Sequence, residues 1–261
     1  YLKIVAENAL GENDLTILES YLGRVSKVLG SYVSEEEYKK YSEQFYNLGW
    51  EGLRKSPKEN KNIWFSLITL TAGGAKSVED LVSLLNGKLV IKDLDFNQEK
   101  RWVILIILSA RGYKDAERLL KSEEKRDKSD KGKKFLFEAQ VSRLNEKKKY
   151  WDIFVKAEKH SLDYLREGMA GFYWKCQKDK LAEYQELFFK EIKNIFNKKD
   201  RQYASTFFSG LYPRLFVDKK TLDLTKKILA EKDLPEILRK ELLQEADELE
   251  RNLRILEKYS S

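Results

Sequence analysis

The chain has few side chains suited to binding a metal ion. A catalytic zinc site commonly takes two histidines at positions i and i+4 together with a carboxylate. The chain contains one histidine, His160, and one cysteine, Cys176. The H-E-x-x-H arrangement is therefore excluded within this sequence, and two soft ligands are too few for a closed structural zinc site. We predict no metal site, no bound cofactor and no catalytic residue in this chain.

Nucleophilic catalysis would have to use the same two residues. A Cys–His pair stays open as an alternative, but Cys176 lies in GFYWKCQKDK, where flanking aromatics in a helical pattern predict a buried, inert thiol. A Ser-His-Asp triad would need His160, and no G-x-S-x-G motif supports one. The stretch TAGGAKS at 71–77 lacks the spacing of a phosphate-binding loop, so it predicts a Gly-Gly corner between helices.

The composition predicts a helix-rich globular protein. The 261 residues are 42% hydrophobic and 36% charged, with only three prolines. The net charge of +7 comes from interspersed lysines and glutamates, which favours a solvated surface over a concentrated basic patch. The longest apolar run, Trp102–Leu108, is too short to span a bilayer, so no membrane association is expected. A single cysteine and the lack of a visible signal peptide favour a cytoplasmic location.

One segment, KSEEKRDKSDKGKK at 121–134, is dense in charge. It holds seven basic and four acidic residues. A nucleic-acid contact would favour fewer acids and interleaved aromatic side chains. We therefore predict a solvated turn between helices and no nucleic-acid partner.

Helical periodicity dominates the rest of the chain. Leucines 238, 242, 249, 253 and 256 form one stripe, and a second stripe runs from Tyr38 through Phe45 and ends at Gly49. The run Trp102–Leu108 is flanked by Asn97 and Gly112, which are typical helix caps. No Asn-Gly or Asp-Gly hairpin signal separates two alternating runs. We predict an all-α fold of roughly a dozen helices. Degenerate helix pairs favour an α-solenoid of HEAT/armadillo-like pairs, curved into a superhelix.

Two further stretches concern the ends of elements. In FFSGLYPRLFVDKKTLDL, Gly210 and Pro213 are expected to end one helix, and Asp218 to cap the next. The segment YLKIVAENALGENDL at the start opens directly in an amphipathic pattern, and the only methionine is Met169. We therefore expect the chain to be truncated at its N-terminus.

Five stretches in order carry a family resemblance. They are LLNGKLVIKDLDFNQEKRWVILIILSARG at 84–112, SDKGKK at 129–134, MAGFYW at 169–174, GLYPRLFVD at 210–218 and DLPEILRKELLQEADELERNLRILE at 233–257. Together they resemble the C-terminal helical domain of bacterial-type aminopeptidase N family zinc metallopeptidases, in which GLYPRLFVD is similar to "GLFPRPLVD". Departures are Leu144, where the family often has proline, and a lysine-rich surface.

The resemblance implies that residues 1–261 are the C-terminal domain of a longer enzyme. Zinc and the catalytic residues would then belong to an upstream catalytic domain, and this chain alone would be inactive. The family resemblance also implies that the domain covers the active-site cleft and limits access to peptides. The implied partners are the chain's own upstream catalytic domain and peptide substrates.

Arg101 and Arg214 are the two candidate substrate-binding residues. Each lies inside a family-like stretch, beside Trp102 and Pro213 respectively. One interpretation is a chamber-lining cation that holds a peptide carboxylate. The alternative is a structural arginine that donates to carbonyls at helix ends, since a guanidinium has five N–H donors.

Two other functions stay open at this point. The chain could be a stand-alone helical-repeat scaffold for protein partners, or a basic nucleic-acid-binding solenoid. An H-E-x-x-H motif upstream in the full reading frame would separate the aminopeptidase hypothesis from the scaffold. A salt-dependent interaction with DNA or RNA would favour the third hypothesis.

Overall fold

The computed structural model describes residues 1–157 and 160–259. These residues contain fourteen α-helices and four 3-10 helices, and no β-strand occurs among them. The prediction of an all-α fold is confirmed. The arrangement of helix pairs as a curved solenoid stays a prediction.

The α-helices are α1 (Leu2–Asn8), α2 (Leu15–Ser31), α3 (Glu35–Lys55), α4 (Lys61–Thr71), α5 (Ala75–Leu85), α6 (Gln98–Ala110), α7 (Ala116–Arg126), α8 (Asp130–Ser142), α9 (Lys147–Lys156), α10 (Leu162–Ala170), α11 (Ala182–Lys198), α12 (Arg201–Leu211), α13 (Lys219–Leu229) and α14 (Glu236–Tyr259). Short 3-10 helices span Ala9–Gly11, Lys58–Asn60, Leu144–Glu146 and Lys175–Leu181. The chain divides into two compact units, Tyr1–Ile104 with the residues from Leu256 onward, and Leu105–Ile255.

Side-chain caps fix where several helices begin. The Asp218 carboxylate accepts from the backbone N–H of Thr221 at 2.8 Å, so the predicted cap of α13 is confirmed. The Asn97 side chain accepts from the backbone N–H of Lys100 at 3.2 Å just before α6. Each acceptor satisfies a donor that the first helical turn leaves unpaired.

The run Trp102–Leu108 is a buried helix, as its flanking caps predicted. Trp102, Leu105 and Leu108 have no exposed surface. Gly112, with a φ of 64°, follows the end of α6 and donates from its backbone N–H to the carbonyl of Ser109 at 3.1 Å. A left-handed backbone is the usual geometry for a residue just beyond a helix.

The Tyr1–Ile104 unit contains a close contact between α3 and α4. A Cβ built on Gly52 would lie 2.1 Å from the Trp64 ring, and one on Gly49 would lie 2.8 Å from Ile68. The expectation that the stripe of α3 ends at Gly49 is therefore wrong, since the helix continues to Lys55. These glycines permit close packing rather than a helix stop.

The Leu105–Ile255 unit has an aromatic core. The ring of Trp151 lies 5.8 Å from that of Phe172 and 5.9 Å from that of Phe207, which stacks 6.1 Å from Phe188. Phe172, Phe188 and Phe207 have no exposed surface. Such ring pairs contribute about 0.5–1.5 kcal/mol each beyond their buried area. Trp50, Trp64, Trp102 and Trp151 are buried, as expected for aromatics at helical spacing, whereas Trp174 lies outside the helices and is half-buried, so the same expectation is wrong for it.

Two buried lysines occupy matching places in the sequence. SPKENK at 56–61 and SRLNEK at 142–147 each pass through a 3-10 turn and end on the first residue of a helix. The Lys61 amine donates to the carbonyl of Leu53 at 2.7 Å, in the last turn of α3. The Lys147 amine donates to the carbonyl of Gly171 at 3.0 Å and to that of Phe172. Burial lowers the pKa of Lys147 to about 7.

Candidate functional site

A groove of about 670 Å³ lies beside Arg214, within the Leu105–Ile255 unit. Helices α12 and α14 form its walls. Along each helix, the polar lining residues are three or four positions apart, so their side chains lie on one face of that helix. Among the lining residues are Arg201, Ser205, Ser209, Arg214, Gln244 and the pair Glu241 and Glu245.

Arg214 is held by three hydrogen bonds. Its Nε donates to Glu245 Oε1 at 3.0 Å, and its Nη2 donates to the same oxygen. Its Nη1 donates to the carbonyl of Ser209 at 2.6 Å, in the last turn of α12. The guanidinium also lies 5.4 Å from the centroid of the Tyr212 ring. The side chain is nevertheless 49% exposed, so part of the guanidinium edge faces solvent.

Glu241 is the second acid of the groove. Its Oε1 accepts from the Ser205 hydroxyl at 2.8 Å. Its Oε2 is buried and has no hydrogen-bond partner within the part of the chain that is described. Burial raises the pKa of Glu241, and the Ser205 hydrogen bond and the charge of Arg214 oppose that rise.

The groove therefore offers binding chemistry. It combines guanidinium groups, hydroxyls, amides and carboxylates, and the Ser205 hydroxyl already donates to the Glu241 carboxylate. A guanidinium with free N–H groups suits a carboxylate in a bidentate pair. The arrangement can hold the polar groups of a peptide, and substrate binding by Arg214 stays a prediction.

Arg101 has a different environment in the other unit. Its Nη1 donates to the carbonyl of Leu85 at 2.9 Å, at the last residue of α5, and the side chain is half-buried. This is the contact that the structural interpretation of the two arginines predicts. Arg214 makes one contact of the same kind, to Ser209. Substrate binding by Arg101 is likewise a prediction.

His160 and Cys176 are the two residues that sequence analysis considered for catalysis or metal binding. The His160 ring is 5.1 Å from that of Phe137 and stacks 6.1 Å from that of Tyr164. Cys176 is exposed in the 3-10 helix Lys175–Leu181, so its predicted core position is wrong. Gln177, the next residue, is buried instead, and its side-chain amide donates to the carbonyls of Ala110 and Ser142. Desolvation still raises the pKa of the Cys176 thiol, which disfavours the reactive thiolate.

No group of three or more His, Cys, Asp or Glu side chains in residues 1–157 and 160–259 could hold a metal ion. The residues present there do not fit zinc. Within the same residues, no helix is both long enough and apolar enough to cross a membrane.

Sequence analysis missed the acids of the groove. Glu241 and Glu245 are one turn apart beside the leucine stripe of α14, where glutamates usually face solvent. No sequence pattern indicated Ser205 on α12 as a site residue either. The i, i+4 spacing of the two acids is only a weak indication of a site. The contact between Arg214 and Glu245 on α14 is what marks these acids as part of the groove.

Comparison with known proteins gives two matches. The family model described as "ERAP1-like C-terminal domain" matches residues 1–251. The aminopeptidase N of Streptomyces lividans is 25% identical over 258 residues, which is 97% of this chain and 30% of that protein. The chain thus spans about a third of the length of this curated relative.

Proposed function

The chain belongs to the ERAP1-like C-terminal domain family, and on that premise we propose that it is the non-catalytic C-terminal domain of a zinc-dependent aminopeptidase, covering the active-site cleft and limiting peptide access. The observation that carries the proposal is the family match over residues 1–251. The curated relative is named an aminopeptidase N, and its greater length leaves room for a catalytic domain.

In this proposal zinc and the catalytic groups belong to the upstream catalytic domain of the parent enzyme. The proposed C-terminal domain spans residues 1–261, and we propose that its helix pairs stack as in a curved solenoid. Its concave face forms a chamber wall over the cleft, which excludes folded proteins and admits flexible peptides. Exclusion of bulk water strengthens electrostatic stabilisation in the covered cleft. We propose that the parent enzyme is cytoplasmic.

Arg214 supplies the contact to substrate. A guanidinium has five N–H donors, and three of them are used toward Glu245 and Ser209. One N–H on Nη1 and one on Nη2 remain, and a pair of guanidinium donors can bind a carboxylate bidentately. Glu245 and the Ser209 carbonyl keep the guanidinium in place, so little side-chain freedom is lost on binding. The expected ligand is the carboxylate of a peptide at a distance from the scissile bond.

The test uses the parent enzyme and peptides of graded length. Arg214→Ala is expected to raise KM for peptides with a free C-terminal carboxylate and to leave short amide substrates unaffected. Arg251→Ala is the matched control, since that arginine is half-exposed on α14 and pairs with Asp247 at 2.6 Å outside the groove. An unchanged KM across all peptide lengths would contradict the substrate role of Arg214. A parent reading frame that lacks H-E-x-x-H would contradict the aminopeptidase assignment itself.

A further inference from the structure

The first two α-helices carry apolar side chains that face solvent. Tyr1 is 47% exposed and Ile4 is 65% exposed, one turn apart at the start of α1. Ile17 is 41% exposed and Tyr21 is 36% exposed, one turn apart on α2. The Tyr1 hydroxyl donates to the carbonyl of Tyr21 at 2.8 Å, which joins the two pairs. We call these four residues the α1/α2 patch.

The patch is separate from the core of its unit. Helix α1 already buries Leu2 and Val5, and helix α2 buries Leu18, Leu22 and Val25. On α2, Ile17 and Tyr21 each precede a buried leucine by one residue. The apolar stripe of α2 is therefore wider than the part that packs into the core of the unit. Single exposed apolar residues are common, but a joined group marks an interaction surface.

We propose that the α1/α2 patch is the docking surface for the upstream part of the parent polypeptide, a partner that presents an apolar surface to it. The proposal rests on the proposed function, since it takes a catalytic domain to precede this one. Tyr1 itself belongs to the patch, so a polypeptide that continues upstream leaves the unit at this surface. The curated relative is long enough to supply such a domain, because this chain matches 30% of it.

Covalent attachment favours this occupant over a second copy of the chain. A tethered partner meets the patch at an effective concentration on the order of millimolar, without any association between molecules. Interfaces between domains of one chain need only about 600–1,500 Å², less than a typical obligate interface between separate chains. The contact would also orient the domain, because it fixes α1 and α2 beside the junction.

The experiment compares tyrosine labelling by hydroxyl radicals in the parent enzyme and in the 261-residue chain. Tyr1 and Tyr21 are expected to react several-fold less in the parent. Ile4→Ser in the parent should restore labelling of Tyr21 toward the value for the chain alone. Leu243→Ser is the matched control, since Leu243 is 55% exposed on α14 and lies outside the patch, and it should leave labelling unchanged.

Equal labelling of Tyr1 and Tyr21 in the parent and in the chain alone would overturn the proposal. Protection that appears only with rising concentration of the 261-residue chain, and not in the parent, would also overturn it, in favour of a second copy. Circular dichroism of Ile4→Ser in the 261-residue chain checks that the helices persist. The aminopeptidase activity of the parent is measured separately, so protection without such activity would uphold the docking surface and reject the proposed function.

Discussion

Arg101 and Arg214 are similar in sequence context and differ in what surrounds them. The half-buried Arg101 donates to the carbonyl of Leu85 at the end of α5. Arg214 also donates to a carbonyl near a helix end, but it is 49% exposed and borders a groove. Both arginines donate to a carbonyl near a helix end, but only for Arg214 does about half of the side chain stay exposed beside a groove.

The contrast extends to other basic side chains. The buried Lys61 and Lys147 donate to carbonyls at the ends of other helices, and so does Arg239, whose Nη1 bonds the carbonyl of Leu229 at 2.9 Å. The last carbonyls of a helix have no partner in the helix itself, and a cation with several donors can satisfy them. Burial therefore separates the cations that stabilise the fold from the more exposed Arg214, for which substrate binding is proposed.

The largest expected effect belongs to Lys147. Lys147→Met keeps a long side chain but removes the donor to the buried carbonyl of Phe172, whereas the carbonyl of Gly171 still accepts from Trp174 Nε1 at 3.0 Å. A buried group without a partner costs about 1–3 kcal/mol, so we expect the free energy of unfolding to fall by about 2 kcal/mol near pH 10, where deprotonating the amine costs the unsubstituted chain little. Urea denaturation measures this change. Lys148→Met, next in sequence and exposed, is the control and should change stability by less than about 0.5 kcal/mol. Equal losses in the free energy of unfolding for the two variants would show that the buried and the exposed lysine contribute equally to stability.

The pH dependence of stability is the second prediction. Burial lowers the pKa of Lys147 to about 7 from its ordinary 10.5, so between these values the unfolded chain binds a proton that the folded chain does not. Stability should therefore rise with pH in this window, by on the order of 1 kcal/mol per pH unit, and the contribution should be flat below pH 7. A neutral amine still has two N–H bonds for the two carbonyls. Urea denaturation between pH 7.5 and 9.5 gives the slope. This range lies above the pKa of Glu138, which burial raises to about 7.

The Lys147→Met variant is the control for that slope. It should lose the pH-dependent contribution while Lys148→Met keeps it. A slope that is the same in Lys147→Met and in the unsubstituted chain would assign the dependence to other groups.

Arg101→Ala should have a smaller effect. The substitution removes the hydrogen bond to the Leu85 carbonyl and part of the packing of a half-buried side chain. We expect a loss of about 1–2 kcal/mol in the free energy of unfolding, measured by urea or thermal denaturation. Arg118→Ala, at a site where the arginine is 70% exposed, should change stability much less. A lower affinity of the parent for peptides with no loss of stability would instead favour the substrate role of Arg101.

Arg214→Ala should change stability least. Its ion pair with Glu245 is partly exposed, and such pairs contribute about 0.2–1 kcal/mol. In the parent the same substitution should lower kcat/KM roughly tenfold for a peptide acid, because a hydrogen bond to a charged group contributes about 1.5–3 kcal/mol. The matching peptide amide should be unaffected. Arg214→Lys should restore only part of the difference, since lysine lacks the paired donors. Equal losses for acid and amide would show that Arg214 acts on the fold alone.

Much of the fold could be predicted from the sequence. Periodicity and caps identified the buried helix at Trp102–Leu108, the cap at Asp218 and the Gly-Gly corner between α4 and α5. These features depend on neighbours within one or two helical turns. Gly49 was misassigned as a helix end, because glycine serves both for helix termination and for close packing. Only the approach of Ile68 distinguishes the two.

The candidate site was less predictable for a physical reason. Lys147 lies in NEKKKY, and a lysine run of this kind normally indicates a solvated surface. Its burial depends on the carbonyls of Gly171 and Phe172, which are 24 and 25 residues further along the chain. The groove beside Arg214 likewise depends on the contact with Glu245, 31 residues away. Local patterns carry no information about such contacts.

The amine of Lys147 also gives the molecule a built-in chemical reporter. At a pKa of about 7 the amine is largely unprotonated in mildly alkaline solution, the form that attacks acylating reagents, yet the residue is only 2% exposed. A reagent can reach it only when the turn at Gly171 and Phe172 opens. The rate of acylation at Lys147, compared with that at the exposed Lys148, would therefore measure how often this part of the domain opens under native conditions.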